Sequence, residues 1–201
     1  MNIVIRKATP EDAHLIGQVV AMGIGDETAR VYCGEHFLQV LEETAAAENT
    51  QYSYRNALVA MVDEVAAGAI IGYDGARLEE LREQTLAIIE RHHPRPQIAE
   101  DETQAGEFYL DTIGILPQYR GKGIGARLLK AMRDEAFLNG HQRVGLIVDE
   151  SNPKAEKLYL SIGFHRVGAR MFFGHRMWHL IASPTEASSG NVGCSTPEQG
   201  K

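Results

Sequence analysis

Apolar positions along the 201-residue chain recur with a period near two in some stretches and near 3.6 in others, and the changes of period mark out the elements. Ile3, Val4 and Ile5 read as a short strand. Thr9-Pro10-Glu11-Asp12 then combines an N-cap residue, a proline at the first helical position and two acids in the first turn, which predicts a helix start. A second helical stretch is expected over residues 35–47. Two apolar runs, 57–62 and 65–73, are separated by Asp63-Glu64 and predict a hairpin. Leu78, Leu81, Leu86 and Ile89 lie on the apolar face of a helix over 78–91. Residues 93–106 carry two prolines and several acids, and read as an exposed loop. The pattern next predicts a strand over 108–116, a helix over 123–138, a strand over 143–149 and a helix over 153–162 that Gly163 ends. Two strands over 164–181, turning near 168–174, complete it. From Ser183 the composition is that of a disordered tail. Strands and helices alternate without a repeat, so the expected class is α/β (α+β) around one mixed sheet, with a domain over 1–182 and a flexible tail over 183–201.

Charge and composition narrow the partners. A formal net charge of −7 argues against a nucleic acid held on a broad basic face, and suits a cationic small molecule or basic peptide. Cys33 and Cys194 are too few for a disulfide framework or a zinc site. His175 and His179, in a predicted strand, stand about 13 Å apart, and His92-His93 diverge beside a proline, so no metal is expected. The N-terminus has no apolar leader and no stretch reaches the length of a membrane span, so a cytoplasmic protein with no membrane partner is expected.

The stretch YRGKGIG, residues 119–125, places three glycines and two cations at the door of a helix. Helix N-termini present unpaired N–H groups to anions, and Gly121, Gly123 and Gly125 let that backbone approach a phosphate, with Arg120 and Lys122 adding charge. The bland alternative is a glycine-rich turn with solvated cations. A nucleotide P-loop fails, because Lys122 is followed by Gly123 and not by Ser or Thr. The dinucleotide pattern G-x-G-x-x-A is met by Gly121, Gly123 and Ala126, with Asp149 near the place of a ribose-binding acid. Against it, Pro117-Gln118-Tyr119-Arg120 separates the strand from the first glycine, and no second nucleotide-binding half follows.

The whole segment from Ile113 to Gly125 resembles the acyl-CoA motif of the GNAT superfamily of N-acyltransferases, with Arg120, Gly123 and Gly125 in the defining positions. Downstream, Asn152, Ala155, Tyr159, Gly163 and Phe164 resemble the family's second segment, N-x-x-A-x-x-x-Y-x-x-x-G-F. The resemblance covers residues 108–164, and the N-terminal opening is also family-like. It implies a GNAT-like fold whose mixed sheet is splayed between strands 108–116 and 143–149. It further implies acetyl-CoA as donor, its pyrophosphate in a cradle spanning Arg120, Gly121, Lys122, Gly123, Ile124, Gly125 and Ala126, and its pantetheine arm against the backbone of Ile113, Gly114 and Ile115.

The implied reaction is direct acetyl transfer to an amine of a small molecule or peptide. A second reading is a non-catalytic acyl-CoA-binding regulator, and a homodimer is compatible with either. Asn152 is placed both to cap the helix begun by Pro153 and, by resemblance, to bind the cofactor. Tyr159 is the candidate acid for the leaving thiolate, since a phenol stays protonated at neutral pH; its plain alternative is packing beside Leu158 and Ile162. An amine of pKa about 10.4 must lose a proton to attack, and Glu107 and Asp111 are the candidate bases. Strict alternation puts Glu107, Tyr109, Asp111, Ile113 and Ile115 on one strand face, with the two acids about 13 Å apart. In part of the family a Glu stands where Tyr109 stands here, which leaves the base open. Residues 23–55 and 74–106 are the expected acceptor-binding segments.

Overall fold

The computed structural model describes residues 1–98, 100–172 and 174–184. Most of the tail predicted from Ser183, with Cys194, lies outside the described residues. Within them the chain runs β1 (Ile3–Lys7), α1 (Ala13–Ile24), α2 (Asp26–Cys33), α3 (Phe37–Ala46), β2 (Ala57–Val62), β3 (Val65–Asp74), α4 (Leu78–Ile89), β4 (Phe108–Ile115), α5 (Ile124–Leu138), β5 (Val144–Asp149), α6 (Pro153–Ser161), β6 (His165–Phe172) and β7 (His175–Ala182). No helix among the described residues is long and apolar enough to cross a membrane.

Seven strands form one sheet in the order β1-β2-β3-β4-β5-β7-β6. All neighbours are antiparallel except β4 and β5, which are parallel. That topology disposes of the dinucleotide alternative, which needs a doubly wound parallel sheet. Period-two alternation feeds two cores. Ile71, Ala69 and Val59 face α1, α3 and α4, where they meet Ile16, Val19, Leu41 and Ile89. Ile70, Leu146 and Leu180 face α5, against Ile124, Leu128 and Leu129. Each of the valine, leucine and isoleucine side chains among them, removed from water, contributes about 1.5–3 kcal/mol.

The hairpin between β2 and β3 turns on two left-handed residues, Asp63 at φ 45 and Glu64 at φ 70. This is the turn geometry that matches strand twist. One helix was not expected from the pattern, and one expected loop needs correction. Asp26–Cys33 is a helix of its own, α2, begun by Gly25 and the acids Asp26 and Glu27; the breaker and the acidic first turn were its signal. The loop over 93–106 is not exposed throughout, because Glu102 and Thr103 are buried at 7% and 2% exposure.

Candidate active site

β4 is held to β3 along its length, but it meets β5 only through Phe108 with Val144 and Tyr109 with Gly145. Beyond those pairs the strands part, and a cavity of about 720 Å³ opens between them. Ile113, Gly114, Ile115, Gly125, Asn152 and Tyr159 line one half of it. A main-chain edge left without a neighbour is what an amide-bearing arm can join as an added strand.

The glycine loop sits where this half leaves the protein. Gly121 and Gly123 hold φ of 76 and 75, and a Cβ at either would meet nothing within 4 Å. The left-handed turns therefore leave room in front of the first turn of α5, whose N–H groups have no intrahelical carbonyl to bond. A pyrophosphate fits this cradle. Ile124 is buried under it in the core, while Arg120, Gly121, Lys122 and Gly123 are exposed. Arg120 donates through Nε to the Ile115 carbonyl at 2.9 Å, which ties the loop to the end of β4. Lys122 lies over the Tyr119 ring, 5.4 Å from its centroid. Asn152 caps α6 by accepting from the Ala155 N–H at 3.1 Å, and it lines the cavity as well. Tyr159 stands edge-on to Phe164, and burial raises its pKa, so the phenol keeps its proton.

The other half gathers side chains from far apart in sequence. The Tyr73 hydroxyl lies 2.8 Å from Asp111 Oδ2 and 3.3 Å from Glu102 Oε1. Gln51 Nε2 donates to both Tyr73 and Glu102, at 3.1 and 2.9 Å. Thr112 donates to Asp111 Oδ1 at 2.7 Å. One phenol proton cannot serve two carboxylates, and the shorter contact, to Asp111, takes it. Protonated, Glu102 donates to the Tyr73 oxygen; ionised, it accepts from Gln51 Nε2 and is ready to take a proton. Its acidity agrees: burial, then the Asp111 charge, push Glu102 up to about 7. Burial likewise raises Asp111. Arg82 Nη1 is bound to Asp101 at 2.6 Å, and its Nη2 lies 3.6 Å from Glu102. Glu102, Asp111, Arg82, Tyr32, Tyr52 and Tyr109 line this half.

The strand departs from its expected arrangement in two ways. Thr112 pairs with Ile71 and Leu110 with Gly72, so Asp111 is a β-bulge with no partner of its own. The bulge reverses the alternation. Tyr109 packs beside Tyr73, Leu78 and Leu81, whereas Ile113 and Ile115 lie against the α5-side core. They do not share a face with Glu107 and Tyr109. Glu107 in turn is walled off from the cavity at 3% exposure, accepting from Thr103 Oγ1 at 2.7 Å and from His179 Nε2 at 2.9 Å. Burial opposes its ionisation, yet the bonds from His179 and Thr103 outweigh burial and hold it below the usual carboxylate value. It is a spoken-for anion and does not line the cleft, while Glu102, which no sequence motif marked, does.

The model of the acetyltransferase (GNAT) family matches residues 27–164. An N-alpha-acetyltransferase, RimI, of Mycobacterium tuberculosis is 47% identical over 64 residues, 32% of this chain and 39% of that protein. A spermine/spermidine N(1)-acetyltransferase of Bacillus subtilis is 35% identical over 83 residues, 41% of this chain and 54% of that protein. The chain thus spans between two fifths and just over half the length of these relatives. A solved structure described as an acetyltransferase superposes with a TM-score of 0.78 at 32% identity, covering 90% of this chain and 98% of the other. An N-acetyltransferase of Staphylococcus aureus gives a TM-score of 0.74 at 27% identity, over 89% and 100%.

Proposed function

Because the chain belongs to the acetyltransferase (GNAT) family, whose donor is acetyl-CoA, we propose that it transfers an acetyl group from acetyl-CoA directly to the nitrogen of a cationic amine, on a small molecule or a peptide. One observation carries the reading. A single cavity is lined by Tyr159 on the α6 side and by Asp111 and Glu102 on the other.

In this reading Asp111, with Glu102 behind it through Tyr73, takes a proton from the entering ammonium. The freed nitrogen lone pair forms the bond to the thioester carbonyl carbon as the carbon–sulfur bond breaks. Tyr159 gives its hydroxyl proton to the departing sulfur, and the second nitrogen proton, shed as the amide forms, returns to the phenolate directly or through solvent. The proton transfers at Asp111 and at Tyr159, each between a positioned side chain and a reacting atom, are worth typically about 10²–10⁴-fold apiece. Among the cavity's acids, Asp111 has hydroxyl donors, Tyr73 and Thr112, and no cation at hydrogen-bond distance among the described residues. An ammonium between tyrosine rings would supply that charge, gaining about 0.5–2 kcal/mol from the ring faces. The relatives named for polyamine and N-alpha acetylation support an amine acceptor.

The test is thiol release from acetyl-CoA with polyamines, aminoglycosides, amino acids and peptides, followed by mass measurement of the amine. Amine-dependent release with a gain of one acetyl group is the expected outcome. Tight acetyl-CoA binding with no release across the panel would instead make the chain a CoA-dependent regulator.

A further inference from the structure

Glu102 lies in a loop between α4 and β4, yet the proposed chemistry needs its carboxylate fixed against Tyr73 and Asp111. Something must hold that loop. On one side Arg82 of α4 grips Asp101 at 2.6 Å. On the other, Arg170 of the edge strand β6 donates through Nη1 to the main-chain carbonyls of Asp101 and Glu102, at 3.3 and 3.2 Å. The same guanidinium reaches back through Nη2 to His179 Nδ1, at 3.2 Å. His179 Nε2 bonds Glu107 at 2.9 Å, and Glu107 accepts from Thr103 at 2.7 Å, which returns the chain of contacts to the loop.

These bonds fix one tautomer. Arg170 has only donors, so Nδ1 must offer its lone pair, and Nε2 must carry the hydrogen that Glu107 accepts. The backbone makes room for the arrangement. A Cβ at Gly145 would stand 2.6 Å from Glu107 Oε2, and one at Gly75 would stand 2.2 Å from the Gln104 carbonyl. Glycine at both positions lets the loop and its anchor lie flat on the sheet.

We infer that Arg170, His179 and Glu107 are positioning residues for the acceptor-side acid, a clamp from the β6–β7 edge that holds Glu102 on Tyr73. None of the three touches the reacting atoms. The inference rests on the reading of Glu102 as part of the proton-accepting pair. It also gives Glu107 its role, as the anchor of the clamp.

The acidic limb of kcat/KM for the amine reports on this geometry. Glu102 is faced by Asp111 and Tyr109 from β4, Tyr73 from β3, Arg82 from α4, Tyr32 from α2 and Tyr52 ahead of β2. Its high pKa comes from burial and from Asp111. A loosened loop hydrates the carboxyl and carries it away from Asp111, so the limb moves to lower pH.

The experiment compares Arg170→Met, His179→Asn, His179→Gln and Glu102→Gln with the wild type in kcat, KM and acetyl-CoA affinity across pH. Arg170→Met is expected to lower kcat by about tenfold or more and to shift the limb down by at least about half a unit, with acetyl-CoA affinity unchanged. His179→Asn keeps an oxygen near the Nδ1 position that Arg170 can reach, and should stay nearer the wild type. His179→Gln keeps the link to Glu107, loses that to Arg170, and should resemble Arg170→Met. A limb and kcat unchanged in Arg170→Met, with only a lower melting temperature, would overturn the clamp. If Glu102→Gln removes the limb while Arg170→Met leaves it, the clamp alone fails. If Glu102→Gln keeps both rate and limb, the proton-accepting role fails and the clamp falls with it.

Discussion

The two halves of the cavity are built by different rules. The half we assign to the donor is made of consecutive residues and main chain: the free edge of β4, the left-handed glycines and the first turn of α5, with Asn152 capping α6 and Tyr159 seven positions further along. The acceptor half is made of side chains from five separate segments, at Gln51, Tyr73, Arg82, Glu102 and Asp111. A ligand rich in amides and phosphates can be read by backbone, whatever side chains surround it. A small amine must be read by charge and hydrogen bonds at a few points. In acetyl-CoA binding, the glycine loop and the β4 edge should therefore tolerate side-chain change and resist backbone change, and the acceptor half the reverse.

The sharpest way to break this contrast is at Asp111. Asp111→Asn keeps the bulge and its hydroxyl contacts but cannot take a proton, so kcat should fall by about 10²–10⁴-fold with acetyl-CoA affinity intact. Titration of acetyl-CoA by calorimetry beside the rate measurement decides it, and wild-type turnover would remove Asp111 from the chemistry. Gly123→Leu probes the other half. A left-handed residue with a side chain costs about 1–2 kcal/mol, which leaves the chain folded, while the side chain fills the phosphate space. Affinity for acetyl-CoA should drop by about tenfold or more, and an unchanged titration would show that the cradle binds nothing there. Tyr159→Phe keeps the ring against Phe164, so a loss of kcat beyond about tenfold, or about 1.4 kcal/mol of barrier, belongs to the hydroxyl. Wild-type kcat at every pH would make Tyr159 a packing residue.

The smallest expected effect is on stability. The fold raises the pKa of Glu102, so it favours the neutral form. That contribution is whole below the carboxyl's ordinary value of 4.5 and is lost as pH rises through about 7. Glu102→Gln cannot ionise, so its melting temperature should gain on the wild type as pH rises across that window. Parallel melting curves would show that Glu102 is already free of burial.

The same contrast explains what could be read from the residues in order. The hairpin at Asp63-Glu64, the helix start after Gly123 and the cap at Asn152 are local, so sequence spacing placed each correctly. The splay follows from the same segment, and the resemblance at 113–125 and 152–164 reached it. Glu102 escaped notice because nothing near it in sequence explains its burial; its partners come from residues 51, 73 and 82. Glu107 looked like a base for the mirror-image reason, since His179, which occupies it, lies 72 positions away. The bulge at Asp111 leaves no mark in the hydrophobic pattern, because Leu110, Ile113 and Ile115 satisfy a core under either phase.

That single unpartnered residue acts as a change of phase along one strand. Ahead of it, β4 turns alternate side chains toward Tyr73 and α4; after it, the isoleucines turn toward α5. A strand in perfect register has one parity from end to end, so any demand made on one face by the acceptor would constrain the same face beside the donor. Inserting one residue decouples the two stretches. A change of side chain at the Tyr73 end of the strand then imposes no parity on the isoleucine end, although both are cut from the same eight residues.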